Sequence, residues 1–163
     1  SVFDIILNFF IFMTICYVSE SSIWFALLAF FGIQLQGTLY NYYYVILRNK
    51  SVGGDNTSKI FEYKTPKALP GETQQAVNIL FGIYTLVYSI FDKIIHFLDA
   101  DAYKVKTFPN WFMTSLSLYG LGFQLLIIAF MLPLGWIEFI APFFIIYSLL
   151  IFVLIGIRKT WIR

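Results

Sequence analysis

Two long apolar runs lie between positions 111 and 157, where the sequence reads WFMTSLSLYGLGFQLLIIAFMLPLGWIEFIAPFFIIYSLLIFVLIGI. Only Glu138 is charged within it, and the turn Pro133-Leu134-Gly135 divides it into two apolar halves. A helix needs roughly 20 apolar residues to cross the hydrocarbon of a bilayer, and each half has about that length. We therefore predict two membrane spans, 111–132 and 136–157. They form an antiparallel hairpin because their connection is short.

The beginning of the chain follows the same pattern. Apolar runs cover 2–18 and 23–47, and the polar link Ser19-Glu20-Ser21-Ser22 joins them. The first run is near the short limit of about 17 residues for a span, and the second is long enough to cross with a tilt. Ser21 or Ser22 is the expected N-cap of the second helix, because a serine hydroxyl accepts a hydrogen bond from a first-turn N–H. These features predict a first transmembrane hairpin over 1–48.

The composition agrees with a chain whose surface faces lipid. Its 163 residues are 60% hydrophobic and 12% charged, whereas a soluble domain has about 25% charged residues. The net charge of +2 is too small to indicate a nucleic-acid partner. The single Cys16 excludes an intrachain disulfide. The single His96, without a second His or Cys beside it, argues against a His/Cys metal site.

The two hairpins are joined by a polar loop and a helix. The loop over 49–72 contains Gly53-Gly54-Asp55, which we interpret as a flexible turn because the phosphate-binding pattern G-x-x-x-x-G-K is absent. A helix is predicted over 73–98, within a segment 73–110. Its polar and small residues recur every three or four positions and so form one stripe, made of Gln75, Asn78, Gly82, Thr85, Ser89, Asp92, His96 and Asp99. Such a helix lies at the interface with its stripe towards water, or it spans with the stripe towards the interior of a bundle.

Charge distinguishes these two arrangements. If the helix lies at the interface, all eleven Lys and Arg residues share one side and the two short connectors carry none. If it spans, Lys93 and every later basic residue cross to the other side, which gives five against six. The positive-inside rule favours the first arrangement. The prediction is an all-α integral membrane protein of four spans with an amphipathic interfacial helix. The loop 49–110 and the C-terminus would be cytoplasmic, and the second hairpin and basic tail would cover 111–163.

Three charged residues are candidates for a functional site. Asp4 lies at one end of the first span, where a carboxylate is costly to insert. It either stabilises the positive end of the helix dipole or faces a cytoplasmic cavity as a ligand or base. Arg48 and Lys50 follow a tyrosine-rich turn and are weak candidates for holding a substrate phosphate. Their alternative role is that of interfacial anchors.

The stripe offers a further candidate. His96 shares one helical face with Asp92 and Asp99, so the three side chains could relay a proton. The alternative interpretation is that they form the hydrated side of an interfacial helix. Glu138 is expected to be solvated at the level of the lipid headgroups.

The chain resembles the later part of a CDP-alcohol phosphatidyltransferase. That family carries D-x-x-D-G-x-x-A-R followed by G-x-x-x-D-x-x-x-D, often with L-D-S-x-x-D at the final pair. The opening Ser1-Val2-Phe3-Asp4 fits that ending if the residue before Ser1 is the third aspartate, and Asp4 then matches the fourth. In another alignment Asp4 is the third aspartate and Asn8 takes the fourth position. The order of spans also fits, and the stretches 53–58, 68–72 and 109–114 are similar to a bacterial subgroup.

The resemblance implies an activity and a cofactor. Family members hold Mg²⁺ or Mn²⁺ with their aspartates against the pyrophosphate of a CDP-linked lipid or alcohol donor, and Asp4 would be a metal ligand and the catalytic base. An acceptor alcohol attacks the phosphorus and CMP leaves. The first half of the motif is absent from these residues, so the chain would be part of such an enzyme. The start at Ser1, without Met, indicates processing or an upstream part.

The alternative function is that of a non-catalytic structural or assembly subunit of a membrane complex. Its apolar helices would pack against partner proteins. Under either reading the expected partners are membrane lipid and a second copy or a larger membrane complex, with no nucleic acid. The resemblance implies a bacterial inner membrane as the location.

Overall fold

The computed structural model describes residues 2–50 and 65–162, and the regular secondary structure among them is entirely helical, with no strand. A short 3₁₀ helix, Ala100–Lys104, lies between the third and fourth α-helices. The α-helices of the described residues are α1 (Val2–Val18), α2 (Ile23–Lys50), α3 (Gln74–Leu98), α4 (Asn110–Ser117), α5 (Leu121–Met131), α6 (Ile137–Ser148) and α7 (Leu150–Trp161).

The first hairpin is confirmed as two packed helices. α1 has the predicted bounds, and α2 begins where predicted but continues three residues further, to Lys50. The hydroxyl of Ser22 accepts a hydrogen bond from the Trp24 N–H at 3.4 Å, so Ser22 caps α2 as expected. The turn between the helices closes with Glu20 in the left-handed region, at φ 52°.

The run 111–132, which we predicted as one helix, is broken into α4 and α5, which meet at an angle of 50°. Gly120 is the point of the break, because its backbone is extended, with ψ 144°. Just before it, the N–H groups of Tyr119 and Gly120 bond carbonyls only three residues back, which tightens the last turn. A side chain at Gly120 would also meet the Ser117 carbonyl at 3.0 Å.

The run 136–157 forms α6 and α7, and Leu149 between them keeps helical backbone angles. The two therefore act as one apolar stretch from Ile137 to Trp161, which begins one residue later and ends four residues later than predicted. Pro142 lies inside α6 and contributes no N–H to it.

The long helix predicted over 73–98 is confirmed as α3, with Thr73 as its N-cap. Its two halves, Gln74–Leu86 and Tyr88–Leu98, are inclined by 42°. The early part of the polar stripe is exposed, whereas the later part turns towards the protein, and Asp99 at its end is fully buried. The prediction that the whole polar stripe faces water was therefore wrong for the C-terminal end of α3. The outer face of α3 is apolar and exposed, at Ile79, Leu80, Ile83, Leu86, Ile90 and Phe97.

The open ends of the two hairpins lie together. Lys50, at the end of α2, donates hydrogen bonds to the carbonyls of Tyr103 and Val105 just before α4. Arg158, near the end of α7, pairs with Asp99 at the end of α3. We call this end of the bundle the basic end. The turns 19–22 and 132–136 lie at the other end, where a core of apolar residues from α1, α2, α5 and α6 is buried.

A second apolar core, which includes Tyr43 and Phe112, is buried at the basic end. A buried polar layer lies between the two cores. Gln36 is fully buried, and its amide donates to the Ser148 hydroxyl at 2.8 Å. The Gln124 amide donates to the Gln36 carbonyl oxygen at 3.0 Å. These bonds tie α2 to α5 and α6. The helices approach closely because Gly32 has no side chain, and a Cβ there would collide with the Ser148 hydroxyl.

The helices are suited to a membrane by length and composition. Among the residues that the structure describes, two helical stretches are long and apolar enough to cross one, Ile23–Lys50 and Ile137–Trp161. The number rises to four if the bent α3 and the bent pair α4–α5 each count as one span. α1 is apolar but shorter.

Candidate functional site

A polar cavity of about 260 Å³ lies between α1, α2, α3 and α5. Most of its described lining residues carry polar side chains, which is unusual in a bundle of such apolar helices. They are Asp4, Asn8, Ile33, Gln34, Gly37, Thr38, Asn41, Tyr84, Tyr88, Asp92, Leu121 and Gln124. We refer to this space as the polar cavity.

Asp4, the carboxylate singled out in the sequence, lines the polar cavity from the first turn of α1. Asn8 follows one turn later on the same face and is only 6% exposed. Asp4 therefore faces the cavity and also lies in the first turn of its helix, where the helix dipole stabilises a carboxylate. Its role as a ligand or base stays a prediction.

Asp92 brings a second carboxylate to the polar cavity, from the middle of the later half of α3. The sequence placed it on a polar stripe but gave no sign of what the stripe would face. Tyr84 and Tyr88 line the cavity from the same helix, with ring centroids 4.7 Å apart. The wall contributed by α3 is therefore one acid beside two aromatic rings.

Gln34 is the clearest indication that the polar cavity takes a ligand. Its side chain is 8% exposed, and its Nε2 has no hydrogen-bond partner among the residues described. A buried donor without a partner costs about 1–3 kcal/mol, so such groups point to a missing partner. Gln34 is one of several polar residues in the second span, so nothing in the sequence alone distinguishes it.

An apolar groove of about 450 Å³ is lined by α1, the end of α5 and the start of α6. Its described walls are Phe10, Ile11, Thr14, Ile15, Val18, Ile128, Leu132 and Ile137. Only the Thr14 hydroxyl is polar among these side chains. The volume and lining suit a flexible hydrocarbon chain.

The polar cavity and the apolar groove follow one another along the same helix faces. On α1 the cavity residues Asp4 and Asn8 are followed by groove residues Ile11, Ile15 and Val18, at steps of three or four. Such steps keep side chains on one face of a helix. We refer to these two successive spaces together as the cleft, which is polar towards the basic end and apolar towards the other.

α5 repeats this division of residues. Leu121 and Gln124 line the polar cavity, and Ile128 and Leu132 line the groove. Since the steps are again three or four, these residues also share one face. An amphipathic molecule is the kind of ligand that matches such a cleft.

The ligand atoms that line the polar cavity are of the type that a hard divalent cation prefers. Carboxylates of Asp4 and Asp92 and side-chain oxygens of Asn8, Gln34 and Asn41 line it, and Mg²⁺ and Mn²⁺ prefer oxygen ligands. The number of strong ligands is low. Within 2–50 and 65–162 no three His, Cys, Asp or Glu side chains come together in a way that would hold a metal.

Arg48 and Lys50 do not line the polar cavity. Lys50 bonds the two carbonyls before α4, as described above, which agrees with an anchoring role. The exposed surface nearby carries an ion pair between Asp101 and Lys104 at 2.6 Å. The Lys104 ammonium hydrogen-bonds the Asp101 carboxyl and so lowers its pKa. The role of Arg48 and Lys50 in binding a phosphate stays a prediction.

A buried charged cluster occupies the basic end. Arg158 Nε donates to Asp99 Oδ2 at 2.5 Å, and the Tyr43 hydroxyl donates to the same oxygen at 2.5 Å. The Tyr42 hydroxyl donates to the Asp99 backbone carbonyl at 2.9 Å and lies 3.4 Å from His96 Nδ1. Asp99 thus serves Arg158 and the tyrosines. Asp92 faces the cavity, whereas His96 and Asp99 both contact Tyr42, so Asp92 has different surroundings from the other two members of the suggested relay.

Two further features that the sequence suggested are the Gly53-Gly54-Asp55 turn and Glu138. Gly53-Gly54-Asp55 falls outside the described residues. Glu138 is exposed in the first turn of α6, as expected for a solvated side chain.

Comparison with protein-family models finds no match to this chain, and comparisons with curated proteins and with solved structures find none either. The site must therefore be interpreted from its own geometry and from the resemblance noted in the sequence.

Proposed function

We propose that the chain is part of a membrane enzyme similar to the CDP-alcohol phosphatidyltransferases. It would move a phosphatidyl or phospho-alcohol group from a CDP-linked donor to an alcohol, with release of CMP. The observation that carries the proposal is the cleft in which Asp4 stands at the polar end and an apolar groove continues along the same faces of α1 and α5. A lipid substrate has this division of polar head and hydrocarbon chain.

The chemistry assigns Asp4 the role of base. The carboxylate takes the proton from the acceptor hydroxyl while that oxygen forms a bond to the phosphorus of the donor. The bond between this phosphorus and the oxygen of CMP breaks, and CMP leaves with the electron pair. A carboxylate serves as base when it lies within hydrogen-bond reach of the proton, and the exposed position of Asp4 at the cavity supports such access.

Asp4 is also the residue that would hold the divalent metal, Mg²⁺ or Mn²⁺. When bound, the metal supplies positive charge to the phosphate oxygens. The proposal requires further metal ligands, because Asp4 and Asp92 are the only carboxylates among the described residues that line the cavity.

We further propose four spans, formed by α1, α2, the pair α4–α5 and the pair α6–α7, with the basic end in the cytoplasm. α3 would lie at that boundary, with its exposed apolar face towards lipid and Asp92 towards the protein. The charge distribution supports this arrangement, as does the contact of Lys50 with the segment before α4.

The test is release of CMP from CDP-diacylglycerol, measured with the complete natural protein in membranes. Asp4→Asn keeps the size of the side chain but removes the base, so we expect a loss of roughly 10²–10⁴-fold. Asp101→Asn is the matched control. It makes the same chemical change at an exposed ion pair, and it should leave the rate unchanged.

Two results would reject the enzyme. One is the absence of CMP release under any acceptor alcohol. The other is an Asp4→Asn variant as active as the natural protein. The first, together with stable co-purification of other membrane proteins, would favour a structural or assembly subunit.

A further inference from the structure

We propose that the polar cavity binds an alcohol that carries an ammonium group, with Asp92 as the counter-ion of that group. This inference rests on the proposed function and names the chemical class of its acceptor. It assigns binding roles to Asp92 and Gln34, two residues that the catalytic motif does not include.

The charge of the cavity is the first argument. Two carboxylates line it, Asp4 and Asp92, and no Lys or Arg is among its described lining residues. An anionic acceptor, such as a phosphorylated alcohol, would place like charges close together, which is unfavourable. A cation is attracted to the same space.

The aromatic wall is the second argument. Tyr84 and Tyr88 lie one helical turn apart on α3, and Asp92 follows one turn after them. The face of a tyrosine ring attracts an ammonium group, and the attraction is stronger where water is excluded. The two rings pack against each other, and an acid beside this aromatic pair on one wall is a suitable surface for a substituted ammonium.

Gln34 supplies the third argument, and it points to oxygen. Its buried Nε2 is a donor without a partner in the described chain, so the ligand must offer an acceptor. The hydroxyl oxygen of an alcohol can accept this bond while its proton points to Asp4. The ligand then presents its hydroxyl to α1 and α2 and its ammonium to α3.

The size of the cavity limits the ligand. Its volume of about 260 Å³ is below the roughly 300–1,000 Å³ of sites for drug-sized molecules. It therefore takes a small amino alcohol and leaves the hydrocarbon of a lipid to the apolar groove.

Binding of ethanolamine to the purified complete protein in nanodiscs tests the inference. We expect saturable binding to the natural protein, and a dissociation constant raised roughly tenfold or more by Asp92→Asn, as expected when about one strong polar contact is lost. Gln34→Met should weaken binding less. Asp101→Asn is the control with unchanged binding. Protection of Cys16 from thiol reagents, since it is the only cysteine and is buried, checks that each variant is folded.

Glycerol and glycerol 3-phosphate are the comparison ligands. Tighter binding of either than of ethanolamine would overturn the inference, and so would an Asp92→Asn variant that binds ethanolamine as the natural protein does. Nanodiscs with and without phosphatidylethanolamine identify the source. Competition by the lipid, with no binding of free ethanolamine, would overturn the role of a free acceptor.

The outcome also separates this inference from the proposed function. Binding that depends on Asp92 without any CMP release would reject the enzyme and keep the ammonium site. CMP release stimulated by glycerol and not by ethanolamine would keep the enzyme and reject the ammonium site.

Discussion

Arg158 is 5% exposed, and its partner Asp99 is fully buried. A guanidinium group removed from water requires an opposite charge and further hydrogen bonds, because its desolvation is costly. Asp99 supplies the charge, and the hydroxyl of Tyr43 adds a bond to the carboxylate. Since these residues come from α7, the end of α3 and α2, one cluster fastens three elements at the basic end.

Breaking this pair should strongly destabilise the protein. We expect Arg158→Gln to lower the free energy of unfolding by about 3–5 kcal/mol, because Asp99 would remain buried without its counter-ion. The midpoint of thermal unfolding in detergent can be followed by the reaction of Cys16 with a fluorogenic maleimide, since its thiol is buried and unique in the chain.

The double variant Asp99→Asn with Arg158→Gln provides the control. It removes both charges, so it should be more stable than Arg158→Gln alone. Equal stability of the single and double variants would show that the charges are not coupled.

Some functional and structural residues could be recognised in the sequence, whereas the partners of others could not. Asp4 was recognisable because a carboxylate in an apolar run is costly and therefore informative. Asp99 and Arg158 are 59 positions apart, and no local pattern links them. Gln34 was one polar residue among several, and only its lack of a partner distinguishes it.

At the scale of elements, α2 and α6 are held together by a close approach and a polar layer. Gly32 permits the approach, because the Ser148 hydroxyl occupies the space that a side chain would need. The same hydroxyl accepts from Gln36 and donates to the Phe144 carbonyl at 2.7 Å. Small residues allow this kind of helix packing in membranes.

Gly32→Ala should therefore destabilise the protein although alanine favours helix formation. We expect a loss of about 1–3 kcal/mol from overpacking, measured as a lower midpoint of Cys16 labelling on heating. Ser148→Ala in the same chain removes the colliding oxygen and should recover part of the loss.

Gly37→Ala is the matched control on the same helix. Nothing lies within 4 Å of a Cβ at this position, so the higher helix propensity of alanine should leave stability equal or slightly increased. If both glycine variants behave alike, the close approach of α2 to α6 is not a constraint.

The bounds of α1 and α3 could be predicted closely because these runs have sharp polar limits. The break between α4 and α5 could not be predicted from the sequence. It depends on the extended backbone of Gly120 and on tight hydrogen bonds in the turn before it, and a glycine within an apolar run is equally compatible with a continuous helix.

At the scale of the whole molecule, the charge pattern predicted that both hairpins open at one end. The contacts of Lys50 and of Arg158 agree with that grouping. The environment of the polar stripe of α3 could not be predicted from the sequence, because a stripe of this spacing can face either water or protein. Only the packing of Asp92 and Asp99 distinguishes the two.

The proposed topology predicts which positions share a side of the membrane. In a Cys16→Ala background, single cysteines replace Asn49, Asp101, Ser21 or Leu134, which lie at or near helix ends. We expect a membrane-impermeant maleimide to label positions 21 and 134 in intact cells. Positions 49 and 101 should react only after permeabilisation, because positive-inside statistics keep the basic end in the cytoplasm.

The comparison between positions 49 and 101 carries the most weight. They flank the loop and α3, so they share a side if α3 lies at the interface and lie on opposite sides if α3 crosses. Labelling of only one of them from outside would contradict the four-span arrangement. It would also remove the basis for a cytoplasmic opening beside Asp4, because an additional crossing would separate the cavity residues of α1 from the segment that follows α3.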